Sequence, residues 1–135
     1  MDHITELPLH AQEDVVHVRQ MVRSKAVSIG LSLVDQTKFV TAASELGRNT
    51  IIYGGGGVVR IESLDEGQRK GIRLTFEDHG PGIADIEQAL KDGYTTGNGL
   101  GLGLGGARRL SNEFKIESSP GEGTRIIITQ WTKNR

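Results

Sequence analysis

Hydrophobic and polar positions alternate along this chain with two different periods. In residues 11–30 the apolar side chains recur every three or four positions, which is typical of an amphipathic helix, and Gly30 predicts its end. The apolar stripe consists of Val15, Val18, Val22, Ala26 and Ile29. Residues 32–53 repeat this spacing and predict a second helix, which the glycine run 54–57 ends. Its inner stripe consists of Phe39, Ala42, Ala43, Leu46 and Thr50.

Alternation with a period of two predicts the strands. Residues 4–9 predict a short strand, which Pro8 either confines to an edge or shortens. Residues 58–64 and 72–78 flank the polar turn DEGQRKG and predict an antiparallel hairpin. Residues 114–131 predict a second hairpin that turns at positions 120–123. We also expect a short helix within residues 83–93 and a helix that starts inside the next glycine run and continues through GARRLSNE.

This element order favours one α+β domain over residues 1–135. Paired strands adjoin in sequence, whereas a doubly wound parallel sheet needs strands and helices to alternate. We therefore predict a two-layer α/β sandwich with a mixed, mainly antiparallel sheet and helices on one face. The formal net charge of −1 predicts no nucleic-acid partner and no membrane partner. The lack of cysteine excludes disulfides and thiolate chemistry and is compatible with the cytoplasm.

Glycine is the compositional anomaly, with 19 residues concentrated in clusters. The densest cluster is GNGLGLGLGG at positions 97–106. A solvated linker would not carry its leucines, and the dinucleotide fingerprint that it contains lacks the preceding buried strand. A loop whose backbone N–H groups cover a phosphate is the interpretation we favour. Its candidate residues are Gly99, Leu100, Gly101, Leu102, Gly103 and Leu104.

Three polar residues stand where a nucleotide site would need them. Asp78 ends a predicted strand and is followed by Gly80 and Gly82, so its carboxylate could accept from an exocyclic amine beside a flat base. The same pentapeptide, DHGPG, also fits an ordinary turn. Glu45 and Asn49 share one face of the second helix, where they suit Mg²⁺ and a nucleophile, although an ordinary polar helix edge explains them equally well.

Taken together, four segments resemble the motifs of the GHKL ATPase superfamily in the family's order. They are ELGRN, DHGPG, GNGLGLGLGG and GEGT, which together span most of residues 40–125. The resemblance implies the Bergerat fold and ATP as the nucleotide. It implies that Glu45 is the base, that Asn49 holds Mg²⁺ and that Asp78 accepts from the adenine amino group.

The resemblance assigns the remaining site residues as well. Gly80 and Gly82 would flank the adenine base, and the amides of residues 99–103 would cover the phosphates. Thr124 would lie near the adenine and Asp78.

Within this superfamily the chain resembles the small kinases of the RsbT type. We expect neither a phosphoacceptor hairpin before the domain nor a transducer after it, and SELGRNTIIYGGGG is similar to these switch kinases. The resemblance implies phosphorylation of Ser or Thr on STAS-domain proteins of the stressosome (RsbS- or RsbR-like), followed by binding to an effector such as an RsbU-like phosphatase. An anti-sigma factor kinase and a nucleotide-dependent binding module with little catalysis are the alternatives.

Overall fold

The computed structural model describes residues 4–90 and 104–133. The described strands are β1 (Ile4–Leu9), β2 (Gly57–Asp65), β3 (Lys70–Asp78), β4 (Glu113–Ser118) and β5 (Thr124–Trp131). The described helices are α1 (Gln12–Ile29), α2 (Leu33–Ile52), α3 (Ile86–Ala89) and α4 (Leu104–Arg109). This order confirms the predicted α+β class, including both hairpins.

The five strands form one sheet in the order β1-β2-β3-β5-β4. Every pairing in the described ranges is antiparallel, so the mixed sheet that we expected is antiparallel throughout this part of the chain. The strand β1 lies at an edge, as Pro8 predicted. The pairing of β3 with β5 brings the two hairpins together. It places the last residue of β3 beside the first residue of β5, at the site described below.

Both long helices bury the stripes that the periodicity predicted. The core contains Val15, Val18, Val22 and Ala26 of α1 and Phe39, Ala42, Ala43 and Leu46 of α2. They pack on the inward side chains of the sheet, among them Ile61, Leu74 and Ile128. The α2 helix begins where the Ser32 hydroxyl accepts from the Asp35 N–H at 3.1 Å. No helix in the described ranges is long and apolar enough to cross a bilayer.

One of the two shorter helices differs from the sequence expectation. The α3 helix is a single turn inside the predicted range, whereas α4 ends at Arg109, although we expected helix as far as residue 113. The reason lies in Asn112, whose backbone N–H donates to Gln130 Oε1 at 3.0 Å. Its own side-chain Oδ1 accepts from the Trp131 N–H at 2.7 Å. These two hydrogen bonds hold Asn112 against β5, so Glu113 begins β4 instead of extending the helix.

The outer face of the sheet carries a row of alternating charges that we call the charge ladder. Its members, one on each strand in sheet order, are Glu6, Arg60, Glu77, Arg125 and Glu117. The closest links join Arg60 to Glu77 at 2.7 Å and Glu77 to Arg125 at 2.9 Å. Hydrogen bonds from Arg60, and then from Arg125, lower the pKa of Glu77 from its ordinary value.

Candidate nucleotide site

A cavity of about 300 Å³ opens between the C-terminal end of α2, the last residues of β3 and the first residues of β5. The loop that follows β3 forms one of its walls, and α3 and α4 contribute one residue each. The lining residues are Asn49, Thr50, Tyr53, Gly54, Phe76, Asp78, Pro81, Gly82, Ile83, Ala84, Asp85, Ala89, Leu104, Thr124 and Ile126. Five of the residues that the sequence proposed are therefore brought together: Asn49, Asp78, Gly82, Leu104 and Thr124.

Asp78 reaches this cavity through the alternation of its strand. Leu74 and Phe76 face the core, so Asp78, two residues further along, faces the same side at the open end of β3. Its Oδ1 accepts from the Gly80 backbone N–H at 2.9 Å. Among residues 4–90 and 104–133 this is the one hydrogen bond that the carboxylate accepts, which leaves Oδ2 as an acceptor for a ligand.

Close backbone packing holds this carboxylate in place. A Cβ on Gly54 would lie 2.3 Å from Asp78 Cγ, and a Cβ on Gly80 would lie 2.7 Å from the Gly54 Cα. The glycine run after α2 therefore packs directly against the loop that follows β3. Gly80 packs against Gly54 and does not line the cavity, whereas Gly82 lines it and has a positive φ of 77°. The sequence pointed to Gly80 and Gly82, but it gave no site role to Gly54.

Thr124 begins β5 directly opposite Asp78 in the β3–β5 register. On its other side it pairs with Ser118 of β4, so the three residues form one row across three strands. The Ser118 and Thr124 hydroxyl oxygens lie 2.8 Å apart. Ser118 Oγ also accepts from the Ile83 N–H at 2.8 Å and donates to the Gly123 carbonyl at 2.8 Å. Sequence reasoning missed Ser118, because its relevance appears only once the strand register is known.

The apolar walls of the cavity were also missed as site residues. Phe76, Ile83, Ile126 and Ala89 give it surfaces on which a flat ring can pack. The available signal was the alternation of β3 and β5, which predicts that Phe76 and Ile126 share a face with the polar residue two positions away. Without the β3–β5 pairing, that signal could not place the two strands side by side.

Residues Glu45 and Asn49 of α2 are placed differently from each other. Asn49 lines the cavity, whereas Glu45 lies one turn earlier and is absent from its lining. The Glu45 carboxylate is 39% exposed and pairs with Arg48. The phosphate-covering segment proposed from the sequence, Gly99, Leu100, Gly101, Leu102 and Gly103, lies outside the described residues. Leu104, its neighbour at the start of α4, is buried against the cavity.

The sequence model of the histidine kinase-, DNA gyrase B- and HSP90-like ATPases matches residues 34–134. The chain belongs to this family. The serine/threonine-protein kinase RsbT of Bacillus subtilis (strain 168) is 43% identical over 120 residues, which cover 89% of this chain and 90% of that protein. An anti-sigma F factor of Clostridium novyi (strain NT) is 36% identical over 105 residues, which cover 73% of this chain and 72% of that protein.

Solved structures agree with this membership of the GHKL family at the level of the fold. A Mycobacterium tuberculosis protein with RsbU and RsbW domains matches with a TM-score of 0.64 at 22% identity, covering all of this chain and 34% of that one. The catalytic domain of the histidine kinase ThkA matches with a TM-score of 0.52 at 19% identity, over 95% of both chains. The family match and the 43% identity to RsbT together show that the chain is an ATP-using serine/threonine kinase.

Proposed function

We propose that this GHKL kinase transfers the γ-phosphoryl group of ATP to Ser or Thr of a STAS-domain protein of the stressosome, RsbS- or RsbR-like, in the cytoplasm. In a second step it would bind an effector such as an RsbU-like phosphatase. The 43% identity to RsbT supports this choice of branch, and the M. tuberculosis neighbour carries RsbU and RsbW domains in one protein. The observation that carries the proposal is the cavity in which Asn49, Asp78 and Thr124 converge.

The cavity suits an adenine base. Asp78 Oδ2 supplies an acceptor for the exocyclic amine, and Thr124 lies beside it in the register. Phe76, Ile83 and Ile126 supply apolar surface for the ring. A cavity of about 300 Å³ fits the base and part of the sugar, and the phosphates would extend towards α4, whose Leu104 lines the cavity.

The oxygen donors that line the cavity fit Mg²⁺ rather than a metal held by protein alone. Asn49 offers an amide oxygen in the cavity lining, and the described residues contain no group of three His, Cys, Asp or Glu side chains that could hold a metal. Mg²⁺ commonly binds one or two protein oxygens and completes its shell with waters and phosphates. Asn49 would hold the ion, and the bound ion would neutralise charge on the transferred phosphoryl group.

Glu45 is proposed as the residue that orients or accepts the proton of the attacking hydroxyl. Its Oε1 pairs with Arg48, so the proton would pass to Oε2, or to either oxygen once the pair opens. The backbone amides of residues 99–103 are proposed to cover the phosphates and stabilise their charge.

The test is phosphotransfer from labelled ATP to a purified RsbS-like protein. We expect Glu45→Gln to lower the transfer rate at least about 100-fold while the Kd for ATP changes less than about threefold, because the side chain does not line the cavity. Glu66→Gln is the matched control, since Glu66 also forms an exposed i,i+3 pair, with Arg69, in the β2–β3 turn. Unchanged transfer by Glu45→Gln would exclude this residue as the base.

A second arm tests the nucleotide site itself. Asp78→Asn replaces one carboxylate oxygen by an amide that can donate, so ATP binding measured by calorimetry should weaken at least about tenfold. If Asp78→Asn binds ATP as well as the wild type does, the adenine lies elsewhere.

The anti-sigma factor kinase remains the second candidate, because an anti-sigma F factor is 36% identical over 73% of this chain. A pull-down separates the two: capture of a sigma subunit supports the anti-sigma role, and capture of a STAS-domain scaffold supports the switch kinase. A binding module with little catalysis would capture a partner without labelling any seryl or threonyl group.

A further inference from the structure

The outer side of α2 carries a row of exposed and half-exposed side chains that ends at the rim of the cavity. Their spacing alternates between three and four residues, so they share one face of the helix. We call this row the α2 stripe, and its members are Lys38, Thr41, Glu45, Arg48 and Ile52. Arg48 is followed in the chain by Asn49, and Ile52 is followed by Tyr53, and both of these followers line the cavity. The end of the stripe therefore borders the nucleotide site.

Ile52 is the apolar member of the α2 stripe, and it is 49% exposed. A single exposed isoleucine is ordinary on a protein surface, so its position carries the argument. Six large hydrophobic side chains are exposed within residues 4–90 and 104–133. Among them, Ile52 is the one that adjoins a cavity residue in the sequence. An apolar side chain thus stands beside the site without lining it.

The proposed chemistry brings the acceptor protein onto this stripe. Glu45 is 39% exposed and lies outside the cavity lining, so the acceptor hydroxyl has to approach it from the solvent side. At about 1.5 Å of rise per residue, Arg48 lies about 4.5 Å and Ile52 about 10.5 Å from Glu45 along the helix axis. A docked protein covers about 800 Å² of its partner's surface, which is enough to include both side chains.

We propose that Arg48 and Ile52 recognise the acceptor protein, with Ile52 packing on an apolar side chain near the phosphorylated Ser or Thr and Arg48 binding an acidic one. The inference rests on the proposed role of Glu45. Nη2 of Arg48 donates to Glu45 Oε1, and the guanidinium has further N–H groups for a second carboxylate. Lys38 adds another positive charge to the stripe, against the single carboxylate of Glu45. The complementary acceptor surface is therefore acidic.

A purely structural role for these side chains makes a different prediction. The pair of Arg48 with Glu45 is exposed and spaced i,i+3, so it contributes little to stability. Ile52 lies outside the cavity lining, so its truncation leaves the nucleotide contacts in place. Loss of acceptor recognition raises the KM for the acceptor alone, whereas a loosened helix would weaken ATP binding as well.

The first experiment measures transfer from saturating labelled ATP to a purified RsbS-like protein, with the full chain as the enzyme. Ile52→Ser should raise the KM for the acceptor at least about tenfold, because the apolar contact is lost, while the Kd for ATP stays within about twofold. Ile52→Val keeps an apolar side chain and should stay within about threefold of the wild-type KM. Leu33→Ser is the matched control, since Leu33 is 71% exposed at the other end of the same helix, and it should change neither constant.

The second arm tests the charge of Arg48. Arg48→Gln should raise the KM for the acceptor about fivefold to tenfold and make it less sensitive to salt, because one charge pair is lost from the interface. Arg48→Lys keeps the charge and should keep the salt dependence of the wild type. A salt dependence that is the same in Arg48→Gln and in the wild type would exclude the acidic contact.

The third arm detects the contact directly, and the lack of cysteine in the chain makes it possible. Ile52→Cys, labelled with a benzophenone maleimide, should crosslink to the RsbS-like protein on illumination, and Leu33→Cys with the same label should not. This arm also replaces the first if Ile52→Ser fails to fold.

The outcomes separate this inference from the proposed function. An unchanged acceptor KM in Ile52→Ser, or no crosslink from Ile52→Cys while Glu45→Gln loses transfer, would overturn the docking surface and leave the kinase function standing. A wild-type protein that labels no RsbS-like acceptor, or a Glu45→Gln variant that transfers normally, would overturn the proposed mechanism and this inference together.

Discussion

Two glycines of the β4–β5 turn form a natural matched pair for testing how the site is held together. Gly121 and Gly123 have nearly the same positive φ, 79° and 81°. A Cβ on Gly121 would meet nothing within 4 Å. A Cβ on Gly123 would lie 2.2 Å from the Asp78 carbonyl oxygen, about 0.8 Å short of the 3.0 Å that real Cβ contacts respect. Alanine at either position suffers the same backbone strain, and only Gly123→Ala adds the collision.

The expected magnitudes follow from this difference. Gly121→Ala should lower the free energy of unfolding by about 1 kcal/mol, the cost of left-handed backbone for a residue with a Cβ. Gly123→Ala should lose about 1–3 kcal/mol more, because the opposing atom belongs to the backbone and the strand ends must separate. That separation pulls Asp78 away from Thr124, so the Kd for ATP should rise at least about tenfold in Gly123→Ala and stay within about twofold in Gly121→Ala.

Urea unfolding at equilibrium measures the stabilities, and calorimetric titration with ATP measures the affinities. Equal losses of stability in the two variants, together with equal ATP affinity, would refute the reasoning. That result would mean that the Gly123–Asp78 contact does not constrain the end of β3.

Three further predictions concern the core, the charge ladder and the metal. Phe39→Ala removes a fully buried ring and should cost about 3–5 kcal/mol in urea unfolding. Arg60 and Arg125 keep the pKa of Glu77 below its ordinary 4.5, so this carboxylate stabilises the fold fully above about pH 4.5 and loses its effect as the pH falls through the lower folded-state pKa. Glu77→Gln should therefore flatten the decline of the unfolding free energy below pH 4.5, and an unchanged profile would contradict this. Asn49→Ala should raise the Mg²⁺ concentration needed for half-maximal phosphotransfer at least about tenfold, and an unchanged titration would exclude Asn49 as a ligand.

Local patterns in the sequence predicted local structure well. The stripes of α1 and α2 and the alternation of β2, β3 and β5 each depend on one surface meeting the core, so the period of the sequence reports them directly. Asp78 was found in the same way, since it ends an alternating strand ahead of two glycines. The end of α4 was missed, because the side-chain bonds of Asn112 to β5 outweigh the local helical pattern.

Long-range pairing was beyond the reach of the pattern. The sequence showed two hairpins, but it did not show that β5 lies beside β3. That pairing places Asp78 beside Thr124, which the β4–β5 hairpin already joins to Ser118, and it brings the apolar walls together. The pairing of Glu45 with Arg48 was also missed, since an i,i+3 spacing permits such a contact without requiring it.

The position of the β3–β5 pairing also has a consequence for how the protein folds. Each hairpin can close by itself over a short turn, whereas joining Asp78 to Thr124 closes a loop of about 45 residues, which costs more chain entropy. Joining the hairpins also brings together the Asp78 and Thr124 walls of the nucleotide pocket. A nucleotide that binds only the joined state stabilises the whole sheet through mass action, by about 2.7 kcal/mol at 100 times its Kd. Bound ATP would thus raise the stability of the fold as well as supply the phosphoryl group.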